Sequence, residues 1–208
     1  MQKSESLKLF LEKDVKEKSR IFLLSSLEEL KKELRQKKID AFVNDFLKLF
    51  NACLERKERT GENVRYIQLS LVRSKALSHE PFYSLEAYGS LFYLSQPIAV
   101  QELSLGWFYD KFYKFCEDIR QESKKYILKI GGMELDRIIL AELINCNRIL
   151  KYLLEESLIH IINTEEFSKL NLSEEIQIQI GEYRGPFEII LVSNEYTNKL
   201  GRWWNGIL

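Results

Sequence analysis

The chain has 208 residues, 45% of them hydrophobic, and its 31 Lys and Arg residues balance its 31 Asp and Glu residues. Zero net charge excludes the basic excess that is typical of a general nucleic-acid-binding protein. No stretch reaches the ~20 apolar residues of a membrane-spanning helix, and residues 1–20 lack the apolar segment of a secretory signal.

Residues 1–60 contain neither Gly nor Pro, which predicts that this segment is helical. Apolar residues recur there in two stripes at helical spacing: Leu23, Leu27, Leu30 and Leu34, then Ile39, Val43, Phe46, Phe50 and Cys53. The stripes are out of phase across residues 35–40, so either two helices meet there or one long helix rotates its buried face. We predict a helical arm over residues 1–60 and an α+β body over residues 61–208, together forming a single domain.

Strand patterns follow the arm. Residues 66–71 alternate, with Ile67, Leu69 and Leu71 on one face and Tyr66, Gln68 and Ser70 on the other. Residues 82–97 predict further strand, with Gly89 at a turn or bulge. Near the C-terminus, Ile176, Ile178 and Ile180 alternate with Gln177 and Gln179, which predicts a half-exposed antiparallel strand paired in a hairpin with residues 186–192.

Two long helices are predicted between these strand groups. Residues 105–120 hold Phe108, Phe112 and Phe115 on one face, so we expect these rings in the core, whereas Tyr109 and Tyr113 could face a cavity. Residues 134–162 form the second helix. The predicted fold class is therefore α+β, with an antiparallel sheet and two long helices inserted between its strand groups. Whether the strands form one sheet or two small ones remains open.

No catalytic motif is present in the chain. It has no phosphate-binding glycine loop, no zinc-protease or paired-cysteine motif and no nucleophile elbow, so we expect neither a cofactor nor a metal. Cys53, Cys116 and Cys146 lie on apolar stripes at wide spacing, which favours buried free thiols in a reducing, cytoplasmic setting. The abundance of Lys, Ile, Glu and Leu over Ala is typical of proteins from AT-rich bacterial genomes.

One group of polar and aromatic residues on strand positions is a candidate pocket. It comprises Arg65, Tyr66, Arg73, His79, Tyr83, Glu86 and Tyr88. Within it Arg73, His79 and Tyr83, with Tyr66 beside them, are the groups that could contact a ligand, because a loop His can act as acid, base or ligand. The alternative is a set of ordinary cross-strand pairs and a solvated loop.

Trp203 and Trp204 are the candidate interface residues, because exposed Trp side chains often mark protein contacts. The alternative is that they close the core. With no catalytic motif, we expect a protein-interaction or regulatory factor, of adaptor or immunity type, that binds another protein or itself and does not act as an enzyme. The alternative is a small-molecule binder or enzyme with a pocket beside the strands of residues 64–95.

Overall fold

A computed structural model describes residues 3–31, 35–126, 129–171, 175–194 and 197–200. The chain divides into two compact units, each built from non-contiguous segments. We call the first the helical unit, which comprises Met1–Arg35, Arg73–Pro81 and Leu105–Leu150. The second is the sheet unit, which comprises Gln36–Val72, Phe82–Ser104 and Lys151–Leu208. The prediction of a single domain stays a prediction.

Helices dominate the described chain. They are α1 (Lys3–Phe10), a π-helical turn (Leu11–Val15), α2 (Lys16–Glu29), α3 (Arg35–Thr60), α4 (Arg73–Leu77), α5 (Gly106–Ser123), α6 (Gly132–Ile162) and α7 (Glu165–Asn171). Short 3₁₀ turns lie at Phe92–Leu94 and Lys124–Tyr126. Within the described residues, no helix is both long enough and apolar enough to cross a membrane.

Six strands form one sheet in the order β3-β2-β1-β4-β5-β6. They are β1 (Tyr66–Leu71), β2 (Tyr83–Tyr88), β3 (Ala99–Glu102), β4 (Ile176–Glu182), β5 (Phe187–Asn194) and β6 (Thr197–Leu200). The central pair, β1 and β4, is parallel, and the other pairs are antiparallel. A parallel pair needs a long connection between its strands, and the segment between β1 and β4 provides one.

Aromatic rings form the core of the helical unit. Phe22 on α2 lies 5.9 Å from Phe108 and 5.8 Å from both Phe112 and Phe115 on α5, measured between ring centroids. All these rings are at least 97% buried. The prediction that the aromatic face of α5 packs in a core is confirmed.

The apolar face of the sheet forms the core of the sheet unit. Ile67 and Leu69 of β1 and Ile178 of β4 are fully buried on it. Phe50 of α3 and Phe167 of α7, both fully buried or nearly so, pack with ring centroids 5.7 Å apart. On α3 the buried Asp45 carboxylate accepts hydrogen bonds from Ser104, at 2.6 Å from its backbone nitrogen and 3.1 Å from its hydroxyl.

The predicted α+β class is confirmed, and the two strand groups join in one sheet. The expectation of a wholly antiparallel sheet is corrected at β1 and β4, because the inserted helices return the chain in the same direction. Residues 35–60 and residues 3–29 are helical as predicted, and the division into an arm and a body stays a prediction. Phe22 packs in the helical unit and Phe50 in the sheet unit, whereas Leu11, Ile21 and Leu24 are exposed.

Candidate binding site on the polar face of the sheet

The second face of the sheet is polar at its centre. Alternate residues of β1 point to it, so Tyr66, Gln68 and Ser70 share this polar face while Ile67 and Leu69 lie on the apolar face. The pairing register extends the polar face across the sheet. One row crosses five strands and consists of Val100, Glu86, Gln68, Gln179 and Ile189.

This row is exposed at its ends and buried in the middle. Val100 is 56% exposed and Ile189 is 40% exposed, whereas Gln68 and Gln179 are fully buried. Within the described part of the chain, neither the side-chain oxygen nor the side-chain nitrogen of either glutamine has a hydrogen-bond partner. A buried polar group without a partner costs about 1–3 kcal/mol. The two amides therefore destabilise the fold at the centre of the sheet.

Glu86 lies beside Gln68 in the same row and is 6% exposed. Its carboxylate accepts hydrogen bonds of 2.9 Å from the hydroxyls of Ser70, Ser84 and Tyr88. Burial, together with the charge of Glu86, raises the pKa of Tyr88. In the described part of the chain, the hydrogen-bond partners of Glu86 are hydroxyl groups rather than cations. Buried carboxylates usually have a cationic partner.

A loop at residues 89–97, which we call the cover loop, folds over this face. The ring of Phe92 lies 4.8 Å from that of Tyr66, 5.3 Å from Tyr88 and 5.8 Å from Phe187. Tyr66 and Phe187 stand on opposite sides of Gln179 in the pairing register, so a ring that touches both covers the glutamine row. The cover loop thus separates the two amides from solvent.

Two residues near this face have a left-handed backbone, one in the cover loop and one in the β4–β5 turn. Phe92 has a φ of 48° and Arg184, in the β4–β5 turn, has a φ of 54°. This conformation costs an L-residue other than glycine about 1–2 kcal/mol, and bulky residues adopt it rarely. Strained backbone of this kind often occurs at ligand clamps and switch regions.

Tyr93 completes the cover beside Phe92. Its ring lies 4.0 Å from Phe92, 5.2 Å from Tyr88 and 6.0 Å from Tyr183. Its buried hydroxyl makes no hydrogen bond of ordinary geometry within the described residues, although Ser70 and the Arg184 backbone lie close enough to act on its pKa. Burial has the larger effect and raises the pKa of Tyr93.

Two glycines position the strands and the cover loop. Gly61 ends α3 with a φ of 72° and donates its N–H to Lys57 O at 2.8 Å, as glycine commonly does at a helix C-terminus. Gly181 lies beside Ser70 on the polar face, where a Cβ would stand 2.5 Å from the Cα of Phe187. Only glycine lets the β4–β5 hairpin approach so closely.

An open groove of about 280 Å³ borders the cover loop. It is lined by the end of α3 and the start of the loop: Gly61, Glu62, Asn63, Gly89, Ser90, Leu91 and Ser95. The groove lies where the chain leaves β2, next to Tyr88.

The four predicted pocket residues do not come together in one unit. Tyr66 lies on the polar face, within the aromatic group under the cover loop. Tyr83 belongs to the apolar face, because it pairs with Leu71. Arg73 and His79 belong to the helical unit. The strand pattern that placed all four beside one sheet fails after Leu71, where the chain turns into helix α4.

His79 occupies a surface position in the helical unit. Its ring stacks on Tyr113 with centroids 4.6 Å apart, and its Nε2 lies 3.2 Å from Arg120 Nη1. Arg73 donates a hydrogen bond of 3.2 Å to the carbonyl of Leu140. Both side chains therefore have local structural contacts, and the predicted role of these residues in a pocket stays a prediction.

The cysteines are buried free thiols. Burial raises the pKa of Cys53 and of Cys116 to about 12, and raises that of Cys146 well above its ordinary value. Such thiols are not ionised at neutral pH and are poor nucleophiles. The described residues contain no group of His, Cys, Asp or Glu side chains that could hold a metal ion. Trp203 and Trp204, the predicted interface residues, lie outside the described residues.

Sequence reasoning found part of the site. It placed Gln68 on the polar side of β1, Gln179 on that of β4, and Glu86 and Tyr88 in the candidate group. It missed the cover residues, since residues 90–97 were expected to continue as strand. The signal that could have found them is the Gly-Ser pair at residues 89–90, which ends the strand before Phe92 and Tyr93.

Comparison with protein-family models, with curated proteins and with solved structures finds no match to this chain.

Proposed function

We propose that this protein acts by binding a small ligand on the polar face of the sheet, beneath the cover loop. The observation that carries the proposal is the pair of fully buried glutamines, Gln68 and Gln179, whose side-chain amides have no partner within the described residues. Buried polar groups without a partner are rare in native proteins, and a functional role is one of the known reasons for them. A ligand with hydrogen-bond donors and acceptors would satisfy both amides.

The cover supports this proposal because it is built from loops. Phe92 and Tyr93 lie in the cover loop, and Arg184 lies in a turn, so the site is closed by elements that can move without unfolding the sheet. The left-handed backbone of Phe92 adds to this argument. Opening the loop would release strain at the same time as it exposes the amides.

A ligand screen with matched glutamine variants tests the proposal. Ligand-observed NMR would present a library of small polar and aromatic compounds to the wild type and to Gln179→Leu. Gln177→Leu is the matched control, because Gln177 lies on the same strand, is half-buried and already donates a hydrogen bond to Glu175 at 3.2 Å. We expect compounds that bind the wild type and Gln177→Leu but not Gln179→Leu. The absence of such compounds would contradict the proposal.

A second candidate function is protein binding, as an adaptor or regulator. Three apolar side chains of the cover loop and of edge strand β3 favour it, since Leu94 is 89% exposed, Leu91 is 60% exposed and Val100 is 56% exposed. Exposed apolar groups often mark contact surfaces. Sedimentation velocity of the wild type and Leu94→Glu tests for self-association. A concentration-dependent dimer that Leu94→Glu abolishes would support this candidate, and a monomer at all concentrations would exclude self-association.

A further inference from the structure

The charged and aromatic groups of the site favour a positively charged ligand. The Glu86 carboxylate is buried, and within the described residues it is held by hydroxyl donors alone. The unpaired side-chain oxygens of Gln68 and Gln179 add two further acceptors. A ligand that placed positive charge beside Glu86 would offset the cost of the buried carboxylate.

Aromatic rings lie on the same face of the sheet as Glu86 and the two glutamines. Tyr66, Tyr88, Phe92 and Tyr93 form a chain of ring contacts with centroid separations between 4.0 and 5.3 Å. The face of an aromatic ring is electronegative and attracts cations, most strongly where water is excluded. Proteins use groups of aromatic rings to bind alkylated ammonium ions.

The chain places a cation against Tyr183, an exposed tyrosine next to this aromatic group. The guanidinium carbon of Arg184 lies 5.5 Å from the centroid of the Tyr183 ring, and Tyr183 contacts Tyr93. Arg184 is held there despite its left-handed backbone. The contact between Arg184 and Tyr183 is of the type that a bound organic cation would make with the rings of the site.

The glutamine nitrogens add a second requirement. The Nε2 groups of Gln68 and Gln179 are buried donors without partners in the described chain, so the ligand needs an oxygen that accepts hydrogen bonds. An ammonium group alone would leave these donors unpaired. A small amino alcohol or a similar cation that carries an oxygen would satisfy both requirements.

We infer that the site beneath the cover loop binds a small organic cation that carries a hydroxyl or carbonyl oxygen, with Glu86 as its counter-ion and the rings of Tyr66 and Phe92 against it. This inference rests on the proposed function, because it names the ligand class of the same site. The rings of Tyr66 and Phe92 now contact each other, so the cover loop opens to admit the ligand and then closes with Phe92 against it. The complete burial of the amides favours a free small molecule over the side chain of a partner protein.

Titration of the full-length protein with choline, followed by ¹H–¹⁵N NMR, tests the inference. The neutral isostere 3,3-dimethylbutan-1-ol has the same shape without the charge, and tetramethylammonium has the charge without the oxygen. We expect choline to bind and each of the other two probes to bind about tenfold more weakly, as the loss of a desolvated cation–aromatic contact or of buried hydrogen bonds predicts. Equal affinity for choline and the neutral isostere would overturn the inference.

Variants locate the binding. Glu86→Gln keeps the shape of the side chain and removes its charge, and Tyr66→Leu replaces an aromatic face with an aliphatic one. Each is expected to weaken choline binding about tenfold, while Tyr83→Phe on the opposite face leaves it unchanged. If Glu86→Gln does not fold, as judged by circular dichroism, the choline affinity of Tyr66→Leu alone tests the inference. Unchanged affinity in a folded Tyr66→Leu variant would overturn the inference.

Two further outcomes separate this inference from the proposed function. If the ligand screen finds compounds that depend on Gln179 but all of them are neutral or anionic, the site is a ligand site and the assignment to a cation is wrong. If neither the screen nor choline gives binding, both proposals fail. A peptide that carries trimethyllysine distinguishes the source of the cation, since tighter binding of the peptide than of choline would overturn the assignment to a free small molecule.

Discussion

The two faces of the sheet are made by alternate residues of the same strands, yet burial has opposite effects on stability at the two faces. On the apolar face, Ile67 and Leu69 are fully buried in an aliphatic and aromatic core. On the polar face, Gln68 is buried to the same extent, but its side chain has no partner in the described chain. Equal burial therefore stabilises the protein on one side and destabilises it on the other.

The covers of the two faces differ as well. Near the apolar face, Lys151 of helix α6 pairs with Glu188, whose strand neighbour is Ile180. The polar face is covered by loop residues, among them Phe92 in a left-handed conformation. A helix and its core resist opening, whereas a loop opens at lower cost. The apolar face therefore maintains the fold, and the easier opening of the polar face is what the proposed ligand site requires.

The largest effect is expected from a truncation on the apolar face. Leu69→Ala removes a fully buried side chain and should lower the free energy of unfolding by about 3 kcal/mol. Urea unfolding followed by circular dichroism measures this change. A loss below about 1 kcal/mol would mean that the apolar face is not the main core of the sheet unit.

The next effect concerns the close approach of the β4–β5 hairpin. In Gly181→Ala the new Cβ would lie 2.3 Å from the carbonyl oxygen of Pro186, so the hairpin must shift, at a cost of about 2 kcal/mol. Gly132→Ala is the matched control, because a Cβ there meets no atom within 4 Å. Equal stability of the two variants in urea would show that the hairpin is not packed against Gly181.

A smaller effect of opposite sign is expected on the polar face. Gln179→Leu replaces an unpaired buried amide with an apolar group of similar size and should raise the free energy of unfolding by about 1 kcal/mol. The control Gln177→Leu should have little effect on it. A lower stability of Gln179→Leu would mean that the amide has a partner in solution, such as a bound water molecule.

The smallest effect is expected at the tip of the cover loop. Leu94 is 89% exposed, so Leu94→Ser should change the free energy of unfolding by less than about 0.5 kcal/mol. Thermal unfolding at two protein concentrations measures this change. A clear destabilisation that depends on concentration would mean that Leu94 is buried by a second copy of the chain.

The sequence predicted an element and its buried face in several long segments, but not in α2, where Phe22 and Ser26 are buried and the predicted stripe residues Leu23 and Leu27 are only half-buried. The apolar stripe of α5 and the alternation in β1 and β4 each predicted an element and its buried face. The parallel pairing of β1 with β4 was beyond local patterns, because it depends on the path of the intervening chain. Helix α4 was missed because its five residues are too few to show a helical period.

The site was predicted only in part, for a related reason. Alternation placed Gln68 and Gln179 on the polar sides of their strands, but polar residues on a strand face are ordinarily solvated. Their burial depends on Phe92 and Tyr93, which lie in a loop whose path the local sequence does not determine. Arg73 and His79 were grouped with Tyr66 because the strand pattern was extended past Leu71, but they lie in the other unit.

The central claim is that the buried amides of the polar face bind a ligand and lower the free energy of unfolding of the unliganded protein. The most direct test is to measure the free energy of unfolding and the affinity for choline on the same preparations of the wild type and the double variant Gln68→Leu/Gln179→Leu. We predict that the double variant is more stable than the wild type and that its choline binding is lost. A double variant that is less stable, or that binds choline as the wild type does, would contradict the claim.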